Sequence, residues 1–270
     1  MTIIHDTQGP SNTITCGEAS AMLSIGESLR VIQRDKADLC FCGGAECKMN
    51  PMVFLRQHFT GRLNTTSNDT PAEAVRSFDQ RAAGSVAGDG GGIVTLEALE
   101  TYQKRGGTSA YAEVVGFGAA QSINRQTRSL SPDPEGKAVT TSIRAALRDA
   151  GIEPEAIDLI IGFGCGVPDW DKAEAAGMRA VFGDRLSQTP VVSTRTLIGN
   201  CGAGGGGVDV AVAAMAIKQQ QIPAIVNRDE PIPGIAGTAE TRQAELNYAL
   251  VFNMGLGGQN TAMILKKLDD

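Results

Sequence analysis

Long apolar runs, clusters of basic residues and aromatic side chains are all scarce in this sequence of 270 residues. No apolar run is long enough to cross a membrane, and the opening MTIIHDTQGP lacks the layout of a signal peptide. Aromatic residues make up 4%, and 24 basic against 30 acidic residues give a net charge of −6 without a Lys/Arg block. We therefore expect neither a nucleic acid nor a membrane as partner, and we predict a cytoplasmic protein.

Metal-binding side chains are also few, because the chain has six cysteines and two histidines. Cys40, Cys42 and Cys47 lie close in sequence, but their spacing matches no strong zinc pattern. Cys40 and Cys42 fall in the apolar segment ADLCFCGG, which predicts a buried strand whose thiols behave as small apolar groups. We therefore predict no metal ion and no cofactor.

Glycine and apolar residues are abundant, with 33 glycines and 42% apolar content, which is typical of an α/β protein with many tight turns. The patterns predict strands at 12–16, 37–43, 91–96, 110–116, 157–162, 190–193, 248–254 and 261–266. They predict helices at 18–34, 97–104, 138–150, 171–181 and 208–218. The polar segment 129–136, SLSPDPEG, is the best internal loop or boundary. Strands that alternate with helices indicate mixed sheets covered by helices.

The glycine run GAGGGG at 202–207 formally satisfies the dinucleotide-binding pattern GxGxxG, with Asp229 roughly where a ribose-binding acid would fall. However, the preceding strand is predicted to end near Ser193, several residues before the first glycine. A dinucleotide turn needs its glycines directly at the strand end. We therefore favour close packing of a helix against another backbone over nucleotide binding.

Several segments follow one another in a characteristic order along nearly the whole chain. They are GPSNTITCGEASAMLSIGESLRVI, ADLCFCGGAE, FDQRAAGSVAGDGGGIVTLEALE, AEVVGFG, ALRDAGIEPEAIDLIIGFGCGVPDWDKAEA, VVSTRTLIGN, IPAIVNRDEPIPG and FNMGLGGQNTAMIL. In these segments the chain resembles the β-ketoacyl-ACP synthases, or ketosynthases, of fatty-acid and polyketide assembly. The resemblance implies the α/β thiolase-like fold, layered αβαβα. It also implies an incomplete N-terminal half at 1–116, followed by the C-terminal half at 117–270.

Catalysis in that family uses a cysteine at the N-terminus of a buried helix, two histidines and a lysine. An ungapped comparison places Glu18 at the cysteine and Arg195 at the lysine. Phe163 and Asn200 stand at the two histidines. Residues 59–270 contain no histidine, so no shift of register restores the pair. We therefore expect no catalytic residue, and we refer to Glu18, Phe163, Arg195 and Asn200 as the vestigial site.

The resemblance also assigns positions around this site. Cys165 and Val167 replace two threonines that contact pantetheine, and Met254 replaces a gate phenylalanine. Cys16 lies two residues before the nucleophile position, on the predicted strand.

Two acids near the lysine position, Asp171 and Glu174, are retained. We expect Asp171, Glu174 or Glu18 to bind Arg195, since a buried guanidinium must be paired. For Glu18 itself we expect a structural role, such as a bond to Asn200 or Arg195.

Three functions remain open from the sequence. The first is a chain-length-factor-like subunit that partners an active ketosynthase, with acyl carrier protein as a possible further partner. The second is a malonyl-ACP decarboxylase-like enzyme, and the third is a module that binds an acyl chain or another small ligand. Because part of the N-terminal half is expected to be missing, we also expect an oligomer in which strand 12–16 pairs with a second copy or the half docks onto another chain.

Overall fold

The computed structural model describes residues 2–125 and 130–268. Its α-helices, α1 to α8, are Thr2–His5, Ser20–Gln33, Pro51–Phe59, Leu99–Lys104, Lys137–Ala150, Pro168–Phe182, Arg195–Ile198 and Gly205–Gln219. Its strands, β1 to β9, are Leu39–Glu46, Gly90–Glu97, Glu113–Gln121, Leu159–Ile161, Val191–Val192, Gln221–Ile222, Arg242–Gln243, Tyr248–Met254 and Gln259–Lys266.

The core is built on a five-stranded sheet with the strand order β3-β9-β8-β4-β5. β4 runs parallel to β5 and β8, whereas β9 is antiparallel to both β3 and β8. Both faces of the sheet are buried. In β4, Ile160 packs in one apolar cluster with α5 and α6, while Leu159 and Ile161 pack in a second cluster with α2 and α8. Alternate residues of each central strand therefore pack into opposite apolar clusters.

A second sheet consists of the antiparallel pair β1 and β2, which contacts α2 and α8. These two helices also contact the five-stranded sheet, so they lie between the two sheets. Cys42 is buried toward the helices, as predicted, but Leu39 and Phe41 on the other face of β1 are 43% and 44% exposed. The expectation of a fully buried strand is therefore wrong for that face.

The glycine run at 202–207 packs closely against β2. A Cβ atom on Gly204 would overlap the carbonyl oxygen of Gly90, and one on Gly207 would overlap that of Gly92. Only glycine lets two backbones approach this closely. The interpretation of the run as a packing feature is confirmed.

The local structure also differs from the prediction at 12–16 and at α3. Residues 12–16 form no strand, and within the described ranges no strand pairs with them. Instead the segment ends in a turn in which the Cys16 N–H donates to Ser20 Oγ at 2.8 Å. Helix α3 was missed, although Pro51 at its first turn and Asn50, whose side chain accepts the Val53 N–H at 3.1 Å, form an ordinary helix start.

The bounds of most other predicted elements are close to those observed, but β3 spans Glu113–Gln121 where a strand was predicted at 110–116. Helix α5 ends at Gly151, which adopts the left-handed conformation with φ 66°. Of the predicted loop at 129–136, Ser129 lies outside the described residues, and the rest forms neither helix nor strand. The predicted boundary between residues 116 and 117 lies within β3, and the division into two halves stays a prediction.

Candidate functional site

Glu18 lies in a single 3-10 turn, Gly17–Ala19, directly before α2. Gly17 has a φ of 55°, and the Ser20 hydroxyl donates to the Gly17 carbonyl at 2.7 Å, which fixes the turn. The Glu18 side chain is therefore directed into the protein and is only 3% exposed. A carboxylate at the start of a helix also interacts favourably with the helix dipole.

Four donors surround the Glu18 carboxylate. Oε1 lies 2.7 Å from Arg62 Nη2 and 3.5 Å from Lys48 Nζ, and it accepts a hydrogen bond from Asn200 Nδ2 at 3.2 Å. Oε2 accepts the Leu256 N–H at 3.3 Å. The predicted bond between Glu18 and Asn200 is present. Arg62 and Lys48 were not predicted from the sequence, because they lie far from Glu18 along the chain and carry no motif.

The charge of Glu18 follows from these contacts. Burial alone would raise the pKa of its carboxyl, but the charges of Arg62 and Lys48 outweigh burial and hold the pKa well below its ordinary value. Glu18 is therefore ionised at physiological pH. It carries no thiol, so it offers no route to the thioester that a cysteine forms.

Arg195 is the centre of a second buried cluster. Its Nη2 lies 2.7 Å from Asp209 Oδ2, and its Nη1 donates to Asp209 Oδ1 at 3.0 Å, a bidentate pair. Asn253 Oδ1 accepts a further bond from Nη2 at 3.3 Å, and the Arg195 Nη1 also donates to Thr194 Oγ1. The prediction that Asp171, Glu174 or Glu18 binds Arg195 was wrong.

The retained acids are occupied by backbone amides instead, which explains that error. Glu174 accepts the N–H groups of residues 163 and 164 at 2.8 and 2.9 Å. Asp171 accepts those of Phe78 and Gly166 at 2.8 and 3.2 Å. Both carboxyls are completely buried, and burial raises the pKa of Asp171 to about 7 and that of Glu174 to about 8. These acids hold the loop 163–166 in place.

Aromatic rings connect the two buried clusters. The Arg62 guanidinium lies over the Trp170 ring at 4.3 Å from its centroid. The Trp170 and Phe163 ring centroids are 6.2 Å apart, and the Arg195 guanidinium lies 5.2 Å from the centroid of Phe163. The vestigial site is thus filled by side chains that pack on one another.

Met254, Cys165 and Val167 are also buried. Met254 belongs to the same apolar cluster as Phe163, with Cys165 and Val167. Burial raises the pKa of the Cys165 thiol above its ordinary range, so this thiol is neutral. Cys16, two residues before Glu18, is partly exposed and its thiol pKa is also raised by burial.

Within residues 2–125 and 130–268, no group of three or more His, Cys, Asp or Glu residues is arranged to hold a metal ion. In the same ranges no helix combines the length and apolar character needed to span a bilayer.

Two models of one family match the sequence. The N-terminal domain of β-ketoacyl synthases matches residues 1–102, and the C-terminal domain of β-ketoacyl synthases matches residues 111–229. This chain belongs to the β-ketoacyl synthase family. Curated relatives named 3-oxoacyl-[acyl-carrier-protein] synthase 2 are 31% identical over 273 residues in Coxiella burnetii and 31% identical over 277 residues in Vibrio cholerae. These matches cover 100% and 99% of this chain but 65% of each relative.

Solved structures show the same fold. A β-ketoacyl synthase from Burkholderia phymatum superposes with a TM-score of 0.88 at 25% identity, covering 99% of this chain and 64% of the other. The ishigamide ketosynthase/chain length factor has a TM-score of 0.84 at 27% identity, covering 96% of this chain and 61% of the other. A type II polyketide ketosynthase in complex with its acyl carrier protein has a TM-score of 0.93 at 21% identity, covering 99% and 65%. The predicted thiolase-like fold is confirmed.

Proposed function

We propose that this ketosynthase-family chain is non-catalytic and serves as a chain-length-factor-like partner subunit in fatty-acid or polyketide synthesis. The observation that carries the proposal is the buried, ionised Glu18 at the position that the family resemblance assigns to the nucleophile. Its ion pair with Arg62, at 2.7 Å, stabilises the fold in place of a reactive thiol. A group held in this way has neither the chemistry nor the freedom to accept an acyl chain.

The groups that would assist decarboxylation and condensation are also absent from the vestigial site. Phe163 offers no donor for an enolate oxygen, and the Arg195 guanidinium is bound to Asp209. Asn200 has an amide, but its Nδ2 donates to Glu18 and its Oδ1 accepts the Gly202 N–H at 3.0 Å. The alternative of a malonyl-ACP decarboxylase-like enzyme is therefore less well supported.

Space at the vestigial site limits the third candidate, a module that binds an acyl chain there. The cavity beside Glu18 that is lined by Lys48, Arg62 and Asn200 has a volume of about 10 Å³. That is room for about one water molecule, far less than an acyl chain needs. Phe163 and Met254 are themselves buried in the core.

The proposed partners follow from two of the structural neighbours. One neighbour is a ketosynthase/chain length factor, and another is a ketosynthase in complex with an acyl carrier protein. An active ketosynthase is accordingly the partner that we propose for this chain, and acyl carrier protein is a further candidate. Both stay proposals, because the chain spans less than two thirds of the length of these relatives.

The test uses the purified chain with acyl-ACP and malonyl-ACP, and with an active synthase of the family as the control. We expect no 3-oxoacyl product and no gain of acyl mass on the chain, while the control gives both. The same assay is then repeated with the chain added to an active ketosynthase from the same organism, where we expect a changed distribution of product lengths. Turnover by the chain alone, or an acyl adduct on Cys16, would contradict the non-catalytic assignment.

A further inference from the structure

A small cavity lies beside Arg62 and is lined by Lys48, Arg62, Ser85 and Asn200 among others. Its volume of about 10 Å³ is that of a single small species. The side chains of Lys48 and Arg62 are 5% and 2% exposed, so the cavity is lined by two cations that water scarcely reaches.

Hydrogen-bond donors in this cavity lack partners. Within the described parts of the chain, neither Nε nor Nη1 of Arg62 has a hydrogen-bond acceptor, and the same holds for the Ser85 hydroxyl. Ser85 is itself 4% exposed. The Cys165 thiol lies near Arg62, but a neutral thiol is only a weak acceptor. An unsatisfied buried donor is costly, and more so when it carries charge.

The local charge is also unbalanced. Among the ion pairs of the described residues, Lys48 and Arg62 share one carboxylate oxygen, Glu18 Oε1, and have no second anion within 4.0 Å. Among the buried side chains here, two cations stand against one anion, because the carboxylates of Glu46 and Asp89 near Lys48 are half-buried and exposed, respectively, and are screened by water. A water molecule would satisfy the hydrogen bonds but would leave the excess positive charge in place.

We propose that this cavity is a binding site for a small monovalent anion of halide size, held by the guanidinium of Arg62, the hydroxyl of Ser85 and the ammonium of Lys48. The volume excludes acyl groups, phosphate and larger carboxylates. A single anion would accept hydrogen bonds from the free donors of Arg62 and Ser85, and it would also neutralise the excess charge. The site is independent of the proposed function, because it does not depend on whether the protein catalyses a reaction.

Chloride, with bromide as its heavier equivalent, is the probe for this site. Thermal unfolding is followed while sodium chloride replaces sodium gluconate at constant ionic strength. A ligand that binds only the folded state raises the unfolding temperature, and we expect a rise of about 2–4 °C. In crystals grown with bromide, we expect an anomalous peak in contact with Arg62 and Ser85.

Two variants assign the effect to the cavity. Ser85→Ala removes one donor with little change in shape, and Arg62→Met removes the guanidinium; both should abolish the chloride-dependent rise. Matched controls are Ser142→Ala, whose buried hydroxyl donates to a helix carbonyl at 3.0 Å, and Arg228→Met, which removes a half-buried guanidinium elsewhere. Both controls should keep the rise, whatever their own stability.

Three results would overturn the proposal. They are an unfolding temperature that does not respond to chloride in the unmodified chain, a response that Ser85→Ala retains in full, and a bromide-grown crystal without a peak at the cavity. Should Arg62→Met fail to fold, Ser85→Ala and the bromide experiment still decide the question.

Discussion

The guanidinium of Arg62 and the carboxylate of Glu18 lie 2.7 Å apart in the interior, and both side chains are at least 95% buried. Forty-four positions separate them in the chain, and the turn before α2 and the segment after α3 bring them together. Removal of either member of such a pair is destabilising, because the other is left as an uncompensated buried charge.

Glu18→Gln should lower the free energy of unfolding by about 3–5 kcal/mol, because it leaves Arg62 and Lys48 without a counter-charge in the interior. Denaturant unfolding measures the change. The matched control is Glu230→Gln, which removes an exposed carboxylate 3.5 Å from Arg81 and should cost no more than about 1 kcal/mol. Equal losses of unfolding free energy in the two variants would contradict the prediction, because burial would then add nothing to the effect of removing a carboxylate.

Glu18→Cys should not restore condensation. The new thiol would lie at the nucleophile position, but Phe163 and Asn200 still supply no histidine for the enolate. The measurement is formation of 3-oxoacyl product from acyl-ACP and malonyl-ACP. Product formed by this single variant, at a rate approaching that of an active synthase, would refute the assignment of the vestigial site.

Arg195→Met should cost about 3–5 kcal/mol of stability, because Asp209 is completely buried and loses its bidentate partner. The double variant Arg195→Met/Asp209→Leu should recover most of that loss, since neither charge then remains. A double-mutant cycle on denaturant unfolding gives the coupling energy. Additive losses would mean that the two side chains do not depend on each other.

Stability should fall as pH rises from about 4 to about 8. The folded-state pKa values of Asp171 and Glu174, about 7 and about 8, lie above those of unfolded carboxyls, so the folded state binds more protons in this range. The stabilisation is complete below the unfolded pKa and is lost as pH passes the folded values. Glu174→Gln should flatten part of this slope, whereas the exposed control Glu153→Gln should not. An unchanged slope in Glu174→Gln would contradict the prediction.

The Glu18 carboxyl acts in the opposite direction. Its folded-state pKa is lowered, so its contribution is present above the unfolded pKa of about 4.3 and is lost as pH falls further. Acid unfolding of the unmodified chain should therefore begin below about pH 4. In Glu18→Gln, stability should no longer show the decrease at low pH that protonation of Glu18 causes.

The purified chain should associate. Leu39, Phe41 and Ile93 are exposed apolar side chains on the outer face of the β1–β2 pair, at 43%, 44% and 52%. Light scattering at micromolar concentration should give more than the monomer mass, and Phe41→Lys should lower it, while Leu130→Lys, at another exposed apolar position, should not. A stable, cooperatively folded monomer would lead us to abandon the partner-subunit proposal.

Much of the fold could be predicted because its central elements carry strong local patterns. The apolar runs of β4 and β8 and the 3.6-residue period of α5 are sufficient by themselves. Residues 12–16 look β-prone, but a strand exists only where a neighbour pairs with it, and composition does not specify the neighbour.

The site was predictable in part for the same reason. The motif order located Glu18 and Arg195, but their partners are set by tertiary contacts between distant segments. Asp209 lies in a helix whose sequence is mostly apolar, and Arg62 follows a helix that was not predicted. Asp171 and Glu174 were assigned to Arg195 because charge suggested it, whereas buried backbone amides had the greater need of acceptors.

The contact between the glycine run and β2 limits how this chain can evolve. Gly204 and Gly207 face the carbonyl oxygens of Gly90 and Gly92 so closely that even an alanine would push the two elements apart. Gly92, Gly204 and Gly207 leave no space for a Cβ atom, whereas the vestigial site holds an acidic side chain at Glu18, an aromatic one at Phe163 and a basic one at Arg195. The close approach of the two backbones therefore requires glycine at these positions, whether or not a reaction is retained.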